Sequence, residues 1–162
     1  MTVLRSIDPN HTPALLKERG AFFASDDITR FISRWSIRGA DDLVMEPSGG
    51  DAAFLVSAMA RLRELAAEPD TQPIVDGVEI HAHSVRVESQ RVREVGGTAH
   101  LRHSDFFAIE PEPVYDTVIG KPPYIRYQDF SDECRLRAWE ATLRGGVSLK
   151  GLASSWAAFT IH

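Results

Sequence analysis

The stretch best suited to chemistry is Gly120-Lys121-Pro122-Pro123-Tyr124-Ile125-Arg126-Tyr127. Tyr115–Ile119 before it reads as a short buried strand, which Gly120 ends. Pro122 and Pro123 fix their own φ and push the residue before each away from helix. The loop is therefore stiff and extended, and Tyr124 offers a flat ring at a nearly fixed place. Ligands of open α/β sheets bind at the carboxyl ends of strands. Such a loop suits a planar group such as a nucleobase. A Pro-Pro turn with a core tyrosine would use the same residues, so the rest of the chain must decide.

Three further stretches put an acid beside a candidate strand. Asp42–Met45 reads as the first strand, and Glu46-Pro47-Ser48-Gly49-Gly50-Asp51-Ala52-Ala53-Phe54-Leu55 leads from it into a helix over Ala53–Ala67. A strand, a glycine turn and a helix N-terminus bring backbone N–H groups close to a small ligand. Pro73–Ile80 reads as a second strand, one βαβ unit later. Glu79 near its end is placed to take ribose hydroxyls. Ala99–Arg102 reads as a third strand, followed by Ser104-Asp105-Phe106-Phe107. An ionised aspartate only accepts hydrogen bonds, which suits an amino group; a helix-capping aspartate beside core phenylalanines is the plainer reading. His81 and His83 have no further ligands for a metal and read as surface histidines opening a helix over His83–Glu94, which Gly96-Gly97 ends.

The remaining segments read as helices. Ala14–Arg19 forms a short one. Ile28, Phe31, Ile32 and Trp35 sit at helical spacing, which predicts an amphipathic helix over Asp27–Arg38 capped by Ser25 or Asp26. Phe130–Arg144 has an apolar side of Cys134, Leu136, Trp139 and Leu143, and Leu152–Ile161 is an apolar helical stretch.

The whole chain of 162 residues, 43% hydrophobic and 25% charged, suits one globular domain. Its net charge of −5 argues against holding nucleic acid by charge alone. No apolar run is long enough to span a membrane, and the N-terminus does not read as a secretory signal. Cys134 is the single cysteine, so there is no disulfide framework and no cysteine-based zinc site. These features place the expected protein in the cytoplasm.

Taken in order, Gly20-Ala21-Phe22-Phe23, Glu46–Leu55, Gly77-Val78-Glu79-Ile80, Ser104-Asp105-Phe106-Phe107 and Lys121-Pro122-Pro123-Tyr124 resemble motifs X, I, II, III and IV of the adenine-specific (N6) DNA methyltransferases of restriction-modification systems. The resemblance runs from about Gly20 to the end. It implies a Rossmann-like α/β fold with a parallel sheet ordered 3-2-1-4 and helices on both faces. It divides the chain into an N-terminal helical segment, 1–40, and a partial catalytic domain, 41–162. It also implies S-adenosylmethionine as cofactor, held by Phe23, Glu46, Pro47, Gly50, Glu79, Asp105 and Phe106. The catalytic positions would be Lys121, Pro122, Pro123 and Tyr124. Tyr124 would stack on the adenine, and the Pro122 carbonyl would accept one amino hydrogen.

Several residues depart from that pattern. Lys121 stands where the family has Asn or Asp, and Ala52 where it has a second glycine. Ala24-Ser25 replaces Thr-Pro, and His81-Ala82 replaces Asp-Pro. A Cβ at Ala52 is expected to intrude on the cofactor and weaken its binding, because alanine tolerates positive φ poorly. Lysine has three donors and no acceptor, so this chain is expected not to methylate adenine. The family's domain continues with strands five to seven and a DNA-recognition region. The chain therefore reads as an N-terminal fragment, or as one part of a split protein with a complementing C-terminal half. Its fourth strand would be an open edge, leaving it marginally folded or self-associated. Ala52, Lys121 and the missing strands favour the alternative of a non-catalytic binding module; the loop motif alone also fits methyltransferases of protein glutamine or RNA guanine.

Overall fold

A computed structural model describes residues 24–68, 70–123, 131–149 and 155–162. The expectations for Ala14–Arg19, Phe23, Tyr124 and Leu152–Ser154 lie outside those residues.

Helix α1, Asp26–Ser36, starts with Asp26 and Asp27 in its first turn, where carboxylates complement the helix dipole. Its apolar period is the one read from the sequence, but most of that stripe faces outward. Ile28, Phe31 and Trp35 are 54%, 71% and 67% exposed, whereas Thr29 and Ser33 are buried. Ile32 turns toward the core instead. The chain then enters β1, Val44–Glu46, and α2, Ala53–Leu65. Phe54, Leu55, Ala58, Met59 and Leu62 recur at helical spacing on the buried side of α2.

Two more strand–helix steps follow the same logic: β2, Ile74–Glu79; α3, Ala82–Glu94; and β3, Thr98–His103. A 3₁₀ turn spans Phe106–Ala108, and β4 is only Thr117–Val118. Helices α4, Asp132–Arg144, and α5, Ser155–Ile161, complete the order.

The strands form one parallel sheet in the order β3-β2-β1-β4, as expected. β1 is central, and all three of its residues are buried. The main core lies between the sheet and its helices and contains Ile37, Val44, Leu55, Met59, Leu62, Val75, Val92 and Ile119. A second, smaller cluster joins Phe107 with Ala138 and Ala141 of α4 and Ala158 of α5. It gathers the C-terminal helices around the 3₁₀ turn.

Among the described residues β4 pairs with β1 alone, and Val118 is 59% exposed. Leu136, Trp139 and Leu143 of α4, predicted as an apolar side, are also exposed. An apolar strand edge is a template for pairing with another chain. Val118→Lys is therefore predicted to reduce concentration-dependent self-association in sedimentation velocity; an unchanged distribution would show that this edge is not the sticking surface.

Candidate functional site

Because the strands are parallel, their carboxyl ends share one edge of the sheet. Glu46, Glu79, the Ser104-Asp105 segment and the Gly120-Lys121 loop all lie along it. The turn after β1 is bonded to the end of β2. Gly49 N–H donates to the Val78 carbonyl (3.1 Å), and Gly50 N–H donates to Glu79 Oε2 (3.0 Å). Glu79 Oε1 accepts from His81 N–H (2.7 Å). Glu46 Oε2 accepts from Leu55 N–H (3.2 Å) in the first turn of α2. Each acid at a strand end thus braces the chain that follows it.

Two residues of this turn are left-handed, Gly50 at φ 58° and Ala52 at φ 64°. Glycine adopts that region freely, whereas alanine is strained there by roughly 1–2 kcal/mol. The Ala52 methyl is fully buried in the main core. The sequence-based expectation is corrected in one respect: this Cβ points into the packing and not over the ligand edge. The surrounding fold holds that conformation, so its strain falls on folding.

Carboxylates crowd the turn. Glu88 of α3 is fully buried, and neither of its oxygens has a hydrogen-bond partner. A Cβ added to Gly49 would sit 2.6 Å from that carboxyl group, so no larger residue fits. Burial, with the charges of Glu79 and Asp51, pushes the Glu88 pKa up to about 8. Glu46 is pushed well above the usual carboxylate range by burial first and then by Glu88, Asp51 and Glu79. Arg91 of α3 offsets part of this charge by pairing with Asp51 at 3.1 Å. No three His, Cys, Asp or Glu residues converge with metal-ligand geometry among the described residues. The site gathers carboxylates around the turn.

The β4 loop closes the other side. Ile119 N–H donates to the Met45 carbonyl (2.9 Å), and Gly120 packs where a Cβ would lie 3.3 Å from Pro47. Ser48 Oγ lies 3.5 Å from the Lys121 carbonyl. The buried Ser155 hydroxyl at the start of α5 donates to the Pro123 carbonyl, fixing the far end of the Pro122-Pro123 pair. Lys121 is exposed, and partial desolvation lowers its pKa.

The structure thus brings Glu46, Pro47, Gly50 and Glu79 together and sets Lys121, Pro122 and Pro123 beside them. Asp105 has local work: Oδ1 accepts from Phe107 N–H (3.1 Å), capping the 3₁₀ turn, and Oδ2 pairs with Arg137 (3.2 Å). Phe106 stacks on Phe159 at 5.3 Å and meets the His162 ring edge-on at 4.7 Å. Sequence reasoning missed Glu88, Arg91, Arg137 and Ser155. Glu88 alone had a readable signal: it stands between Val85 and Val92 at helical spacing, a charged residue on an inward stripe. The others act across the fold and leave no local trace.

No family model matches the chain. A stretch of 113 residues, 70% of the chain, is 26% identical to the type II methyltransferase M.HincII of Haemophilus influenzae. That stretch spans 18% of the relative's length. The type IIG restriction endonuclease BpuSI superposes over 86% of this chain and 18% of its own, with TM-score 0.66 and 15% identity. A Listeria monocytogenes protein assigned as a class I S-adenosylmethionine-dependent methyltransferase superposes over 91% of this chain and 45% of its own, with TM-score 0.61 and 17% identity. The chain has the methyltransferase fold. M.HincII, a type II methyltransferase, is a weak sequence homologue, and BpuSI, a restriction endonuclease, shares the fold.

Two outcomes follow for the turn. Ala52→Gly is predicted to raise unfolding stability by up to about 1 kcal/mol, the relieved strain less the lost methyl burial, while leaving S-adenosylhomocysteine affinity within about twofold by calorimetry. Glu88 keeps its proton in the folded state up to about pH 8 but loses it near 4.5 when unfolded. Its raised folded pKa makes stability fall as pH rises through that window. In denaturant melts, Glu88→Gln is predicted to gain roughly 2–4 kcal/mol on the parent between pH 5 and pH 9. Parallel pH profiles would contradict this assignment.

Proposed function

We propose that this chain is the cofactor-binding part of a DNA adenine-N6 methyltransferase of the restriction-modification type, and that it binds S-adenosylmethionine at the turn after β1. The observation that supports this best is the turn itself. A tight, partly left-handed backbone stands at the shared carboxyl edge with one acid from β1 and one from β2. Glu46 and Glu79 each keep lone pairs beyond those used on backbone N–H groups. They suit the cofactor's ammonium group and ribose hydroxyls respectively. Gly50 removes the side chain that would separate backbone from ligand. Asp105 and Phe106 would border the cofactor's adenine, and the family resemblance assigns Phe23 to its methionine end.

When bound, the cofactor supplies an electrophilic methyl group on a cationic sulfur. Transfer to the amino nitrogen of adenine would be direct, releasing S-adenosylhomocysteine and one amino proton, so the protein's share would be positioning and charge. The target base must leave the helical stack. The loop beyond β4 would receive it, with Tyr124 against its face and the Pro122 carbonyl accepting one amino hydrogen. Position 121 should accept the other. Lys121 offers only donors, and its charge repels the sulfonium. We infer that the chain binds cofactor and does not methylate adenine as it stands. A complementing C-terminal half would pair at β4 and carry the DNA-reading surface, and the assembled protein would act in the cytoplasm.

The catalytic half of this reading is tested by completing the domain with strands and recognition region from a close relative. Labelled methyl transfer to DNA is then compared for Lys121 and Lys121→Asn. Restoring the acceptor is predicted to raise the rate by about 10²–10³-fold; equal rates would mean that Lys121 does not occupy the catalytic position.

The binding half has its own pH signature. Ionised Glu46 and Glu88 attract a cation, and a bound cation favours their ionised forms. Affinity for S-adenosylmethionine is therefore predicted to rise between pH 6 and pH 9, and more steeply than affinity for the uncharged sulfur of S-adenosylhomocysteine. Equal slopes in calorimetry would remove the carboxylates from the argument.

A further inference from the structure

We propose that Arg91 is the positioning residue of the cofactor turn, holding it in its binding conformation before any ligand arrives; this rests on reading that turn as the cofactor site. Arg91 Nη1 hydrogen-bonds the Asp51 backbone carbonyl and also lies 3.1 Å from Asp51 Oδ2. The Asp51 carbonyl belongs to the peptide plane that contains the Ala52 nitrogen. Anchoring that oxygen restricts rotation about φ of Ala52, the strained angle of the turn. Asp51 Oδ1 also accepts from Ala53 N–H at 3.3 Å, the first residue of α2. One side chain from α3 therefore governs the residue before Ala52, and through it the residue after.

The same helix supports the turn at a second point. Glu88, one helical turn before Arg91, fills the space beneath Gly49. Gly49 and Asp51 are thus both set by α3, and Gly50 between them is set by Glu79 of β2. The Arg91 contact acts on the peptide plane before Ala52, whose own N–H donates to the Gly49 carbonyl (2.9 Å) and whose methyl is packed in the main core. Both contacts come from the single nitrogen Nη1, which meets the Asp51 carbonyl and the Asp51 carboxylate together. The Arg91 side chain is 32% exposed, so its loss leaves the core intact.

The test combines amide hydrogen exchange on the ligand-free chain with S-adenosylhomocysteine calorimetry. It compares the parent, Arg91→Gln, Arg91→Lys, Asp51→Asn and Ala52→Gly, with Ala52→Gly also made in the Arg91→Gln background. Arg91→Gln and Asp51→Asn should speed exchange at Gly50, Ala52 and Ala53 by about tenfold and weaken binding by a similar factor. Arg91→Lys, which keeps the positive charge and a donor nitrogen, should change both less than Arg91→Gln does. Glycine at position 52 should barely alter affinity in the parent yet restore most of the loss beside Arg91→Gln, because glycine is left-handed without help. Unchanged exchange and affinity in Arg91→Gln, or an equal glycine effect in both backgrounds, would overturn the proposal. If neither the parent nor Ala52→Gly binds S-adenosylhomocysteine, the cofactor reading fails, and exchange at the turn decides the role of Arg91 alone.

Discussion

The turn from Gly49 to Ala52 is the constraint on which the other features of this molecule converge. It must reverse the chain at the end of β1 and start α2 within a few residues, and it does so through two left-handed residues, one of them an alanine. Isolated peptide would not hold that conformation. The surrounding fold holds it instead: the Val78 carbonyl and Glu79 carboxylate from β2, Arg91 from α3, and a buried methyl in the main core. The sheet order 3-2-1-4 makes this possible, because it puts β2 directly beside β1.

Holding the turn has an electrostatic consequence. The acids that brace it stand near one another and near Asp51 and Glu88, with Arg91 as the cation paired into the group. Burial first, and then the neighbouring carboxylates, disfavour ionisation, which is why Glu46 and Glu88 are shifted upward. A fold seeking stability alone would not gather carboxylates in this way. The same arrangement would be favourable with a cation present, as the proposed cofactor site requires. Lys121 stands at the opposite rim, where a second positive charge works against that use.

The sheet was legible in the sequence because glycine and proline mark where its elements end or begin. Gly120 and two prolines follow β4, Glu46-Pro47 and two glycines follow β1, and Gly96-Gly97 separate α3 from β3. Strand order followed from helices between parallel strands together with the family resemblance. What could not be read was direction and distance. The period of α1 announced a helix but not that Phe31 and Trp35 face outward, since periodicity gives a face without naming what it meets. Asp105 read as an acceptor for an amino group; its pairing with Arg137, 32 residues later, depends on where α4 lands. Ala52 read as a missing glycine, and only packing showed its methyl to be inside.

The central claim is that the turn after β1 receives the cofactor, and backbone chemical shifts on the labelled chain test it most directly. Titration with S-adenosylmethionine should move the amide signals of Gly49, Gly50, Ala53 and Leu55, together with those following Glu79 and Asp105, and leave the exposed face of α1 unchanged. Saturating cofactor with no shifts at these amides, or shifts confined to α1 and α4, would contradict the account.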